Sequence, residues 1–132
     1  MYDVIVIGNG PAGISASLYL KRANFNVAVV GKAEGALVKA DKVENYYGFS
    51  KPIQAKKLLH EGIKQAKYLG IDVIIDEVIS IIQEENKFKV KTIFNNYDAK
   101  CLILATGTNR RTPNIKGIKE FEGRRNKLLC SM

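Results

Sequence analysis

The chain has 132 residues, 46% of them hydrophobic, and a formal net charge of +8. That length fits one domain or part of one, able to bury roughly two-thirds of its unfolded surface. No apolar run approaches the ~20 residues needed to span a bilayer, so no membrane partner is expected. The basic residues are scattered, with one dense cluster at Arg124-Arg125-Asn126-Lys127, and no aromatics interleave with them as base stacking would require. No nucleic-acid partner is expected either.

The chain opens on Asp3-Val4-Ile5-Val6-Ile7, a β-branched run suited to a strand buried on both faces. Gly8-Asn9-Gly10-Pro11-Ala12-Gly13 follows at once, then helix-compatible Ile14–Arg22 with small Ala16 and Ser17, then a second strand over Phe25–Val30. In this strand–turn–helix–strand setting the spaced glycines carry meaning. Gly8 permits a sharp turn, Gly10 a close backbone approach to a phosphate, and Gly13 tight packing of helix on strand. The first helical turn aims unpaired N–H groups and the positive dipole end at one spot, which suits a diphosphate.

After the second strand, the acid that commonly grips a ribose is missing. Gly31 stands there, followed by Lys32, which either approaches a 2′-phosphate or is simply solvated; Glu34 is near but not at the expected position. Gly35–Lys42 reads as a loop, and Val43–Phe49 is aromatic-rich, a pattern that local packing alone can explain. Ile53–Leu69 is an amphipathic helix with Leu58, Leu59, Ile63, Ala66 and Leu69 on its apolar side and Lys56, Lys57, Lys64 and Lys67 opposite. Gly70 is its expected stop. His60, the only histidine, is assigned no role.

Ile71–Ile75 reads as a third buried strand. Val78–Gln83 and Lys87–Phe94 alternate as an antiparallel pair turning at Glu84-Glu85-Asn86, and Asn95-Asn96 turns into Tyr97–Lys100. Cys101–Leu104 is expected to be a further strand buried on both faces, with Cys101 an inert buried thiol. It ends in the small residues Ala105-Thr106-Gly107-Thr108, at the strand edge where ligands bind in open α/β sheets. Cys101 and Cys130 make no disulfide framework, and a reducing cytoplasm is the simplest compartment. The start of the chain is a core strand without the charged region of a secretory leader.

In this order and spacing, the glycine turn, Val43-Glu44-Asn45 with Gly48-Phe49, the helix before Gly70-Ile71-Asp72-Val73, the meander, and Ala105-Thr106-Gly107 resemble the N-terminal FAD-binding segment of the thioredoxin reductase-like flavoproteins (pyridine nucleotide-disulfide oxidoreductases). The resemblance spans residues 1–123, with Phe121-Glu122-Gly123 similar to the start of the family's crossover. It implies an α/β, Rossmann-like FAD-binding domain, incomplete, with a central parallel sheet, helices and a three-stranded antiparallel meander. It implies FAD as cofactor. Gly8, Gly10, Pro11, Ala12 and Gly13 would face the diphosphate, Asn45 the isoalloxazine side, and Val78 the adenine through its backbone. Ala105, Thr106 and Gly107 would lie against the cofactor.

The family's Gly-Gly-Gln-Leu-like segment reads Glu34-Gly35-Ala36-Leu37 here, which removes one flavin-side amide. The Cys-x-x-Cys pair and NAD(P)H domain that should follow are absent from these residues, and the tail 124–132 does not resemble the crossover. Out-of-frame translation would account for that tail. For one compatible set of codons, deleting a single base yields Gly-Arg-Gly-Ile-Ser-Tyr-Cys-Ala-Val and the start of a codon that permits cysteine, similar to the family's crossover and redox pair, and the gene's own codons decide the matter. The expected function is the FAD-binding portion of an NAD(P)H-dependent reductase, not competent for turnover alone. The alternatives are a stand-alone FAD or NAD binding module without catalysis, and a structural remnant that binds nothing. Self-association over surface left open by the absent segment is a further expectation.

Overall fold

The computed structural model of the chain describes residues 1–32, 35–108, 114, 116 and 117. The expectations placed on Glu34, on Phe121-Glu122-Gly123, on Cys130 and on the tail lie outside the described residues. The elements, in order, are β1 (Tyr2–Ile7), α1 (Pro11–Arg22), β2 (Val27–Gly31), a 3-10 turn (Ala36–Lys39), β3 (Lys42–Val43), β4 (Ile53–Gln54), α2 (Ala55–Tyr68), β5 (Asp72–Ile75), β6 (Val78–Glu84), β7 (Lys87–Thr92) and β8 (Asn96–Leu104).

The β-branched run of β1 sits near the middle of a six-stranded sheet ordered β5-β2-β1-β8-β7-β6. β1 pairs in parallel with β2 on one side and β8 on the other, and β2 pairs in parallel with β5. β6, β7 and β8 run antiparallel, so the expected meander is present but fused to the main sheet. Its third strand and the expected Cys101–Leu104 strand are one continuous nine-residue strand, β8. The α/β class with a mostly parallel sheet, helices and an antiparallel meander is therefore the one observed.

Val4, Val6, Val27 and Val29 point to the helix side and pack with Ile14 of α1, Ala66 of α2 and Ile71. Ile5, Ile7, Ala28 and Val30 point the other way and pack with Val90 and Ala99 of the meander. Both faces of β1 and β2 are thus covered, which is why their sequences are continuously apolar rather than alternating. Each fully buried valine contributes roughly 1.5–3 kcal/mol relative to exposure. Ser17 is small enough to sit fully buried in α1, and its hydroxyl donates to the Ile14 carbonyl at 2.7 Å. Gly70 takes φ +76 just past α2, and the Ile71 N–H returns to the Ala66 carbonyl.

Coverage corrects several expectations. β5 is the outer strand, so Asp72 and Ile75 are exposed and the strand is not buried on both faces. Cys101 is exposed rather than a buried thiol, and Leu104 is 68% exposed. Between them, Leu102 and Ile103 are half-buried and pack against the two core clusters, so this stretch of β8 is only partly covered among the described residues. Phe25 and Asn26 precede β2 instead of opening it. Ile53-Gln54 is a short strand against Lys42-Val43, so α2 begins at Ala55. Leu69 caps α2 and is exposed, whereas Leu58, Leu59 and Ala66 are buried as the periodicity requires. Within Gly35–Lys42, expected as a loop, Ala36–Lys39 forms a single 3-10 turn.

Candidate functional site

The C-terminal ends of β1, β2, β5 and β8 lie along one sheet edge. Chain order reverses between β1 and β8, since β1 leads through α1 to β2 on one side while β8 arrives on the other. Ligands in open α/β sheets bind at such a switch point.

Gly8 closes β1 there. Its N–H donates to the Val30 carbonyl at 2.7 Å, and its φ is +115, a conformation a side chain rarely adopts. A Cβ on Gly8 would run into the carbonyl of Ala105, and a Cβ on Gly13 into the carbonyl of Gly8. The turn, the first turn of α1 and the end of β8 therefore touch through bare backbone. The Ala105 N–H completes the junction by donating to the Ile7 carbonyl at 2.8 Å. Gly10 differs: a Cβ there would meet nothing within 4 Å, so its open side faces outward from the turn.

Gly10 is the N-cap of α1 and Pro11 its first residue, with no side chain capping the helix and no acidic residue in its first turn. Proline fits because its missing N–H would be unpaired anyway. Ala12 and Gly13 are then left with N–H groups that the helix itself does not use. Among the described residues no carboxylate caps this end or stands in its first turn, which suits an external anion. The dipole adds about 0.3–1 kcal/mol at an exposed site, and hydrogen bonds to charged oxygens about 1.5–3 kcal/mol each.

On the β2 side, Asn9 is buried inside the turn and its Nδ2 donates to the Lys32 carbonyl at 2.6 Å. Its side chain fills the place a Cβ on Gly31 would need, at 2.8 Å. Lys32 follows, exposed, with Nζ 2.7 Å from the Glu77 carboxylate. Glu77 belongs to the turn between β5 and β6, held to β2 by the Asp76 N–H on the Gly31 carbonyl at 3.1 Å.

Asp76 is buried and anchors that turn. Its Oδ1 accepts from the Glu77 N–H at 2.7 Å and its Oδ2 from the Phe94 N–H at 3.3 Å. Burial pushes its carboxyl upward, but the Thr92 hydroxyl and the N–H groups of Glu77, Phe94 and Ile93 outweigh it and hold the group below the usual carboxylate range.

Gly8, Gly10, Pro11, Ala12, Gly13, Lys32, Ala105, Thr106 and Gly107 thus gather at one edge, and Val78 begins β6 immediately after Glu77. Asn45 is not drawn in by any hydrogen bond among the described residues. It is exposed on the loop whose Tyr46 and Phe49 rings pack 6.3 Å apart and line a groove with Pro11, Ile14 and Leu18. Local packing thus accounts for two of the aromatics, while Tyr47 is wholly exposed. Asn9, Asp76 and Glu77 were not legible as site residues. The available signals were an Asn as the variable residue of the glycine pattern and two adjacent acids between two β-rich runs.

Among the described residues no group of His, Cys, Asp and Glu could hold a metal, and no helix is long and apolar enough to cross a membrane. Comparison with known proteins gives a consistent placement. The sequence is 38% identical over 125 residues to thioredoxin reductase of Treponema pallidum, and 39% over 127 residues to that of Aquifex aeolicus. These matches take in 93% and 94% of this chain but 41% and 39% of the relatives. The chain therefore spans about two-fifths of the length of the curated relatives it matches. Among solved structures, thioredoxin reductase of Streptococcus pyogenes superposes with a TM-score of 0.81 at 30% identity, over 92% of this chain and 40% of that one. The T. acidophilum enzyme gives 0.80 at 35% identity over the same shares. The model of the pyridine nucleotide-disulphide oxidoreductases matches residues 2–131, nearly the whole chain. With the glycine turn, the uncapped helix end and the sheet order agreeing, this chain belongs to the pyridine nucleotide-disulphide oxidoreductase family.

Proposed function

We propose that this chain binds FAD as the flavin-binding portion of an NAD(P)H-dependent thioredoxin reductase-like oxidoreductase, and that these 132 residues bind without turning over. The observation that carries the reading is the uncapped, acid-free first turn of α1 set against a bend where Gly8 and Gly13 leave backbone bare. The residues fit the group. The N–H groups of Ala12 and Gly13, with the open side of Gly10, would hold the diphosphate; Val78 would meet the adenine through its backbone; Asn45 and Ala105-Thr106-Gly107 would border the flavin side. When bound, the flavin supplies hydride and electron transfer, and the protein's share is to bind and orient it.

These residues contain two cysteines, Cys101 and Cys130, and no Cys-x-x-Cys pair, so no dithiol stands ready to receive electrons. Exposed Cys101 suits a reducing compartment, in keeping with a cytoplasmic protein. Self-association through exposed isoleucines of the edge strand β6 belongs to the same proposal.

Reconstitution with FAD, desalting and a visible absorbance spectrum test the reading. Retained flavin absorbance is the expected result. Retention of ADP or NAD without flavin would replace the reading with a nucleotide-binding module, and a colourless protein that neither ligand stabilises would leave a structural remnant.

A further inference from the structure

We infer that Glu77 is the carboxylate that receives the adenosine ribose hydroxyls of the bound dinucleotide, in place of the acid missing from the end of β2. The inference rests on the nucleotide-binding reading given above. In dinucleotide folds, an acid at the end of the second strand accepts hydrogen bonds from the ribose. Here that position is Gly31, and the structure gives a reason it holds no side chain. A Cβ at Gly31 would lie 2.7 Å from the Asn9 nitrogen and 2.8 Å from the Asn9 side chain, which is buried in the space.

The neighbouring turn supplies the missing charge. Gly31 is in register with Ile75 on β5, and the Asp76 N–H donates to the Gly31 carbonyl at 3.1 Å, so Glu77 is tethered beside the end of β2. Lys32 Nζ lies 2.7 Å from Glu77 Oε1 and fixes the carboxylate at this edge. Asp76, buried and hydrogen-bonded on both oxygens, sets the turn's shape. A cation engaged by Glu77 is poorly placed to welcome a 2′-phosphate, and the carboxylate would repel one. The edge is therefore arranged for a free ribose.

The test measures binding of ADP, 2′-deoxy-ADP and adenosine 2′,5′-bisphosphate by calorimetry to the wild type, Glu77→Gln and Glu34→Gln, with melting curves confirming that each variant is folded. A charged acceptor predicts that loss of the 2′-hydroxyl weakens wild-type binding about tenfold or more, and that this penalty largely disappears in Glu77→Gln. It also predicts that the bisphosphate binds wild type more weakly than ADP and gains in Glu77→Gln. A penalty that survives in Glu77→Gln, or that disappears in Glu34→Gln instead, overturns the assignment while leaving nucleotide binding intact. Absence of ADP binding to the wild type overturns the nucleotide-binding reading itself.

Discussion

Two glycines in the same turn do different physical work, and substitution separates them. Gly8 holds φ +115 with the Ala105 carbonyl where a side chain would go. Gly8→Ala should therefore cost on the order of 1–3 kcal/mol in backbone strain, plus the overlap, seen as a lowered melting temperature whether or not ligand is present. Gly10 has φ −73 and ψ −179, which any residue adopts, and open space beyond it. Gly10→Ala should change the stability of the free protein by less than about 1 kcal/mol. Its FAD affinity should nonetheless fall about tenfold, because the new methyl stands where phosphate approaches. Equal loss of stability in the two variants would contradict this division. The glycine spacing was legible in the sequence; which glycine serves the fold and which the ligand was not, since that depends on the distant Ala105.

At the scale of elements, β1 and β2 could be read from composition because a strand covered on both faces needs no polar alternation. α2 could be read from its period, and the β6–β7 turn from Glu84-Glu85-Asn86 between alternating runs, although Glu84 closes β6 and the turn itself is Glu85-Asn86. Coverage by neighbours was not legible. Asp72–Ile75 and Cys101–Leu104 look like buried strands, yet one lies at the sheet edge and the other leaves Cys101 and Leu104 exposed. Asp76 shows the converse, a charged residue that tertiary hydrogen bonds make part of the interior. Its lowered carboxyl pKa means that it stabilises the fold above the ordinary carboxylate value, and that this contribution is lost as pH falls through the depressed folded value. Asp76→Asn should lower the melting temperature at neutral pH. The gap to wild type should narrow as pH falls from the ordinary carboxylate value through the depressed folded one. A gap constant across that range would show that the carboxylate's charge does not stabilise the turn.

At the scale of the molecule, the sheet has two different margins. β5 is short, whereas β6 presents Ile79, Ile81 and Ile82, each more than two-fifths exposed, on an edge that no strand pairs among the described residues. The net charge of +8 opposes association while this apolar edge favours it. Sedimentation at increasing protein concentration should show a rising average mass in moderate salt, where repulsion is screened, and Ile79→Lys should suppress it. A monomer at every concentration would remove β6 as a contact surface. The family relationship could be read from the order of motifs over most of the chain, because that order follows from the sheet's connectivity.

The claim on which the account turns is that the first turn of α1 receives the diphosphate. Backbone amide NMR tests it most directly, by titrating the folded protein with ADP and, separately, with adenosine. The account predicts that the Gly10, Ala12 and Gly13 amides shift with ADP and stay nearly unmoved with adenosine. Unshifted amides in that turn at saturating ADP, with changes confined elsewhere, would contradict it.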